Sequence, residues 1–235
     1  MEDGLASSRA QAADLVRRGC VTVAGAIVSK PGTMISEDAE LLLAPGAGAY
    51  VSRGALKLAA ALDRFALSPE GRVALDVGAS TGGFTQILLS RGAEKVYAVD
   101  VGRDQLHESL VADPRVVSLE AVDARSVDDI LIPEVVRAMT ADVSFISLTQ
   151  ALPAALARAA PGAWLVCLVK PQFEAGREAV GKGGIVREEK DRLRAVARVR
   201  EFLQNEGWQV LGAIESPITG AHGNVEFLIG ALHGA

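Results

Sequence analysis

The stretch RVALDVGASTGGFTQILLSRGA puts an acid, Asp76, at the end of an apolar strand-like run, sets glycines at 78, 82 and 83, and opens a helical pattern at Phe84. A strand that breaks at glycine and restarts at helical period is the first unit of a parallel α/β sheet, and such sheets bind ligands at the carboxyl ends of their strands. The turn Gly78-Ala79-Ser80-Thr81-Gly82-Gly83 is therefore expected to take a ligand of nucleotide shape; the alternative is an ordinary strand-to-helix turn. Its spacing is not the GxGxxG of dinucleotide enzymes, which argues against a nicotinamide oxidoreductase. Asp100 ends the next strand, YAVD, roughly 20 residues on, where a carboxylate can accept from both ribose hydroxyls of a nucleoside or simply be solvated. Asp123, in AVDAR, can accept from an adenine amino group or be an ordinary loop aspartate. Phe84 and Leu106 either wall that site or belong to the core.

A second set of residues carries charge in apolar surroundings. Lys170 follows the run WLVCLV and precedes Pro171, Asp142 lies in TADVSFISL, Glu226 in NVEFL, and Lys57 in the helical pattern SRGALKL. Charged groups are rarely buried unless paired, so two lysines and two carboxylates projecting to one place would satisfy each other. A lysine that ends a hydrophobic strand just before a proline points to the carboxyl edge of the sheet, where the ligand is expected. The other reading of Lys170 is a snorkelling surface lysine.

The elements that must position these residues alternate regularly. Strands are expected near 72–77, 95–100, 116–120, 139–146 and 163–169, with helices near 83–91, 103–112, 127–138 and 148–159, which implies a parallel sheet covered on both faces. A polar segment, PQFEAGREAVGKGGIVREE, leads to a charged helix near 187–206. Then WQVLGAIES and NVEFLIGAL follow, separated by so short a loop that they must pair antiparallel. Ahead of this domain, SSRAQAADLVRRG reads as an amphipathic helix with Ala10, Ala13, Leu15 and Val16 inward and a stop at Gly19. CVTVAG and AIVSK form a hairpin around Gly25, AELLL adds a strand, and APGAGA is a small-residue linker.

At 235 residues the chain can hold one large domain and a small one. Although 49 % of residues are apolar, charges interrupt every stretch before the roughly 18 to 20 residues needed to cross a bilayer. With the acidic start MEDGLASSRA this leads to the expectation of a cytoplasmic protein. Cys20 and Cys167 have no partner pattern, so neither a disulfide nor a metal site is expected, and Cys167 reads as a buried thiol. A formal net charge of −5 argues against nonspecific polyanion binding but leaves local basic patches open. His107, His222 and His233 read as structural or surface residues.

The glycine turn with its preceding acid resembles motif I of S-adenosylmethionine-dependent methyltransferases. From about residue 50 to 232 the chain resembles the FtsJ-like ribose 2′-O-methyltransferases, whose Lys-Asp-Lys-Glu tetrad is matched in order by Lys57, Asp142, Lys170 and Glu226. A closer resemblance is to the TlyA (haemolysin A) family of ribosomal RNA methyltransferases, through YVSRGALKL, LDVGASTGGFT, VYAVDVG, DVSFISL, LVKPQFE, GKGGIV and HGNVEFL. It implies a class I methyltransferase fold, Rossmann-like, with a mostly parallel seven-stranded sheet whose last strand is antiparallel, plus a small α+β S4-like domain. The expected organisation is an S4-like RNA-binding domain at 1–43, a linker at 44–52 and an FtsJ-like domain at 53–235. An S4 module opens with a further helix; only MEDGLAS precedes the one at Ser8 to Arg18, so that first helix is expected to be missing.

The resemblance also implies roles. S-adenosylmethionine would lie against Asp76, Gly78, Ala79, Ser80, Thr81, Gly82, Gly83, Phe84, Asp100, Asp123 and Asp142, with glycine letting the backbone approach closely and helix N–H groups receiving its carboxylate. Arg9, Arg17, Arg18, Lys30 and Arg53 would meet RNA phosphates, or else form solvated faces. The expected partner is ribosomal RNA within subunits or their precursors, and the expected target a cytidine ribose in small-subunit or large-subunit RNA or both. Lys170 would be the general base. A lysine, with an ordinary pKa of about 10.4, does this near neutrality only where a nearby cation or desolvation releases its proton, and Lys57 can be that cation. Two other readings compete: a noncatalytic RNA-binding protein with a vestigial methyltransferase domain, and a membrane-active haemolysin, for which no strongly apolar amphipathic face is visible.

Overall fold

The structure is a computed structural model that describes residues 5–6, 9–17, 19–36, 38–43, 50–220 and 223–234, without the side chains of residues 9, 10, 11, 14 and 177. The chain divides into two compact units, Met1–Ala55 and Leu56–Ala235.

In the first unit, α1 (Arg9–Arg17) is followed by β1 (Val21–Val23), β2 (Ala26–Val28) and β3 (Leu41–Leu43), with β1 in the middle of an antiparallel sheet. The expected stop at Gly19 is made by a left-handed φ of 64°, with the Gly19 N–H on the Val16 carbonyl and the Cys20 N–H on the Leu15 carbonyl, each at 2.9 Å. Leu15, Cys20 and Val21 form its buried core. Of the expected inward positions, Leu15 is buried and Ala13 and Val16 are half-buried, while the Ala10 side chain lies outside the described residues.

The second unit follows α2 (Gly54–Phe65) with β4 (Val73–Val77), α3 (Gly83–Ser90), β5 (Lys95–Asp100), α4 (Glu108–Val111), β6 (Val116–Glu120) and β7 (Val136–Ala141). It continues with α5 (Leu148–Ala151), α6 (Pro153–Leu156), β8 (Ala159–Val169), α7 (Pro171–Glu174), α8 (Glu189–Asn205), β9 (Trp208–Glu215) and β10 (Phe227–His233). These strands form one sheet in the order β6-β5-β4-β7-β8-β10-β9, in which β10 runs antiparallel to both neighbours. The chain moves outward from β4 through β5 to β6 and then crosses back to β7, so the carboxyl ends of β4 and β7 flank the switch point. Both faces are covered: Ala74 to Val77 and Ala163 to Val169 are buried without alternation. Cys167 lies within that run, fully buried, and burial pushes its thiol up to about 12.

Five expectations are corrected. No helix forms over 127–138. Ala124–Ser126 make one 3-10 turn, Asp128 holds the Ile130 and Leu131 N–H groups at 3.0 and 2.9 Å, and Pro133 disfavours helix at Ile132. Strand β7 spans Val136–Ala141 rather than 139–146, which leaves the residues from Asp142 onward in a loop. The helix expected at 103–112 shrinks to Glu108–Val111, capped by His107, and the one at 148–159 breaks before Pro153. Strand β10 begins at Phe227, so Glu226 stands just before it instead of inside it.

Candidate active site

A cleft of about 730 Å³ opens at the switch point, lined among others by Gly78, Ser80, Asp100, Gly102, Gln105, Asp123, Asp142 and Phe145. Gly78 has φ +82°, and a Cβ there would lie 2.6 Å from the Asp142 carbonyl oxygen, so only glycine lets the ends of β4 and β7 approach this closely. Asp100 is fixed by two backbone donors, Ser80 N–H on Oδ2 at 2.8 Å and Gly102 N–H on Oδ1 at 2.7 Å. Its remaining lone pairs can accept from a pair of hydroxyls. Asp123 also lines the cleft. Arg125 grips both its oxygens, with Nη2 2.5 Å from Oδ2, and these hydrogen bonds pull its pKa down to about 2.

Other residues of the glycine turn frame the cleft instead of lining it. Asp76 is fully buried and accepts from Thr85 Oγ1 at 2.7 Å and Thr140 Oγ1 at 2.8 Å, tying α3 and β7 to β4. Burial raises its pKa to about 6 against the pull of those hydroxyls. Gly82 caps α3 at φ 94°, the Thr81 carbonyl accepts from the His107 N–H at 3.3 Å, and Ala79, Gly83, Phe84 and Leu106 are buried. Gly102, Gln105, Arg125, Ser144, Phe145 and Gln150 line the cleft without having been singled out from the sequence.

The four charged residues are joined as two ion pairs. Lys170 Nζ stands 2.7 Å from Asp142 Oδ1 and donates to the Ser144 hydroxyl at 2.7 Å. Lys57 Nζ meets Glu226 Oε2 at 2.5 Å, with Lys57 8 % and Glu226 2 % exposed. The sheet register relates the pairs: Phe227 lies opposite Val169, so Glu226 and Lys170 are the next residues outward on neighbouring strands. Asn224, two residues before Glu226, clamps the GKGGIV segment, accepting from the Val186 N–H at 3.1 Å and donating to the Gly184 carbonyl at 2.9 Å. Glu174 ties the loop after β8 to the loop after β7, accepting from Ser147 Oγ at 2.6 Å and Leu148 N–H at 2.7 Å; burial raises its pKa.

Of the candidate RNA contacts, Arg17 and Lys30 are exposed and Arg53 is half-buried beside Gly19. Arg18 and the Arg9 side chain lie outside the described residues.

The strand order, the reversed β10 and the acid-flanked cleft at the switch point define the fold class, that of the S-adenosylmethionine-dependent methyltransferases. The S-adenosylmethionine dependent methyltransferase of Mesorhizobium loti shares the fold at a TM-score of 0.54 and 16 % identity, over 74 % of this chain and 96 % of that one. The chain belongs to the FtsJ-like methyltransferase family, whose model matches residues 50–232. An S4 domain model matches residues 3–41. The chain is 47 % identical to the 16S/23S rRNA (cytidine-2′-O)-methyltransferase TlyA of Mycobacterium tuberculosis over 227 residues, 96 % of this chain and 85 % of that protein. It is 39 % identical to Hemolysin A of Brachyspira hyodysenteriae over 96 % of this chain and 94 % of that one. The solved structure of the "putative hemolysin from Streptococcus thermophilus" matches at a TM-score of 0.80 and 43 % identity, over 99 % of this chain and 86 % of that one. Among the described residues no helix is long and apolar enough to cross a membrane.

Proposed function

We propose that the protein transfers the methyl group of S-adenosylmethionine to the ribose 2′-hydroxyl of a cytidine in ribosomal RNA of the small subunit, the large subunit or both, acting in the cytoplasm on subunits or their precursors. The observation that carries this reading is the Lys170–Asp142 ion pair at the cleft edge, with the Lys57–Glu226 pair at the neighbouring strand. The cleft fits the cofactor. Asp100 would accept from its ribose hydroxyls, Gly78 and Ser80 would offer backbone to its methionine moiety, Asp123 would accept from its adenine amino group, and Asp142 would face the methyl donor.

When bound, the cofactor supplies an electrophilic methyl on a sulfonium. Lys170, in its neutral form, takes the proton of the 2′-hydroxyl as its oxygen attacks in line. Asp142 and Ser144 hold Nζ in one place, so the base is positioned before the substrate arrives. Lys57, locked by Glu226, is the second cation at this edge and would stabilise the developing alkoxide.

Phe145 supports an RNA substrate. Its side chain is 92 % exposed at the cleft although the backbone takes a left-handed φ of 65°. An exposed aromatic beside the base is a stacking surface for a nucleobase taken out of its helix. The S4-like unit, through Arg17 and Lys30 with Arg9, Arg18 and Arg53, would hold flanking phosphates.

The test is incubation with labelled S-adenosylmethionine and unmodified subunits of each size, followed by mapping of ribose methylation through resistance to alkaline cleavage. A resistant cytidine in one subunit, or one in each, is the expected result. Label on a base, or binding of RNA with no transfer, contradicts the reading.

A further inference from the structure

The loops after β7 and β8 are linked in order: Asp142 and Ser144 to Lys170, Phe145 to Phe173, and Ser147 with Leu148 to Glu174. The polar links on either side hold the aromatic pair, whose ring centroids are 5.3 Å apart and inclined at 51°. Phe173 is one turn from the base, its N–H donating to the Lys170 carbonyl at 2.9 Å. A second pocket of about 290 Å³ adjoins the cofactor cleft, sharing Phe145, Ile146 and Gln150 with it and adding, among others, Phe173, Glu174 and Arg198. The Glu174 carboxylate is buried on its own donors, so the exposed charge at this pocket is that of Arg198, which also donates to the Glu174 carbonyl at 3.0 Å.

We infer that this second pocket receives the base of the nucleotide next to the methylated one, stacked on Phe173, with its phosphate met by Arg198. The inference rests on the ribosomal RNA reading above. Phe145, exposed at the cleft, offers a stacking face to a target nucleotide taken out of its helix, and such a nucleotide leaves its neighbour without one stacking face. An aromatic ring one pocket away, joined to a cation, replaces that face and pairs with the phosphate in a sequence-tolerant way. The two linked phenylalanines thus divide the work, Phe145 facing the target nucleotide and Phe173 its neighbour.

The experiment replaces Phe173 with the photoreactive p-benzoylphenylalanine in the full chain. The protein is irradiated on unmodified subunits, and the crosslink is mapped by reverse-transcription stops beside the methylation site of the unsubstituted protein. A crosslink at the nucleotide adjacent to the methylated one is expected. In parallel, Phe173→Ala should raise KM for subunits about tenfold, with kcat within about twofold and cofactor affinity unchanged, as lost base stacking requires. A crosslink absent or remote from that position, or a Phe173→Ala protein with unaltered KM, overturns the subsite while leaving ribose methylation standing. Absence of methylation by the unsubstituted protein overturns the reading on which it rests, and the subsite with it.

Discussion

Lys170 and Asp142 are each the first residue beyond adjacent parallel strands, β8 and β7, and this places Nζ 2.7 Å from Oδ1 at the rim of the switch-point cleft. Neither side chain needs a helix or a long loop to deliver it. The sheet edge sets the spacing, and the Gly78 approach to the Asp142 backbone fixes the edge.

The Lys57–Glu226 pair lies deeper than that one. Glu226→Ala leaves the Lys57 ammonium buried without its partner, and stability should fall by about 3–5 kcal/mol. Urea unfolding measures this, and a loss under about 1 kcal/mol would show that water reaches Lys57 freely.

Gly220 closes over the same carboxylate, since a Cβ there would lie 2.0 Å from Glu226 Oε1. Gly220→Ala must therefore displace the Glu226 side chain and weaken its hold on Lys57. Methyl transfer should drop about tenfold or more while cofactor affinity, measured by calorimetry, stays the same. A fully active Gly220→Ala protein would mean that the Lys57–Glu226 geometry is not needed.

Asp76 gives stability a specific pH dependence. Burial raises its carboxyl from 3.8 to about 6. Within that window the folded chain keeps a proton that the unfolded chain has released, so its contribution is complete below about pH 4 and is lost as pH rises through about 6. Asp76→Asn, able to keep hydrogen bonds to Thr85 and Thr140, removes this dependence. The difference in unfolding free energy between the two proteins should change by about 3 kcal/mol between pH 3.5 and 7, with the variant gaining as pH rises. A flat difference would show that Asp76 ionises as readily as in the unfolded chain.

Phe145 should separate stability from activity. Phe145→Gly relieves a left-handed backbone and loses one ring contact, so the free energy of unfolding should hold to within about 1 kcal/mol. Methyl transfer to RNA should nevertheless fall about tenfold or more through lost stacking. Full activity would return Phe145 to the role of an incidental surface residue.

What could be read from the residues alone follows from where polarity interrupts apolar runs. Asp76, Asp100 and Lys170 each end such a run, which made the sheet edge legible; Asp142, expected inside a strand, was singled out with Lys57 and Glu226 only as a charge in apolar surroundings. Asp76 also shows the limit, because a strand-end acid looks the same whether it faces a ligand or, as here, two threonine hydroxyls. VDDILIPEVV spaces its apolar residues like a helix face, yet Pro133 and the Asp128 turn bury Ile132 from a loop. That misreading hid the true start of β7 and with it the loop that carries Phe145. A phenylalanine in DVSFISL reads as core by residue type, and only its placement beyond the strand shows it to be exposed. Arg125 and Gln105 were illegible because both reach the cleft through side-chain contacts, with Asp123 and with Ser80, that no spacing rule encodes.

The most direct measurement is single-turnover methyl transfer to unmodified ribosomal subunits by Lys170→Ala, with S-adenosylmethionine binding measured on the same sample. Bound cofactor with transfer slowed by about a hundredfold or more is the predicted result, since a positioned general base contributes on that scale. Transfer at the unsubstituted rate would contradict Lys170 as the base and with it the proposed mechanism.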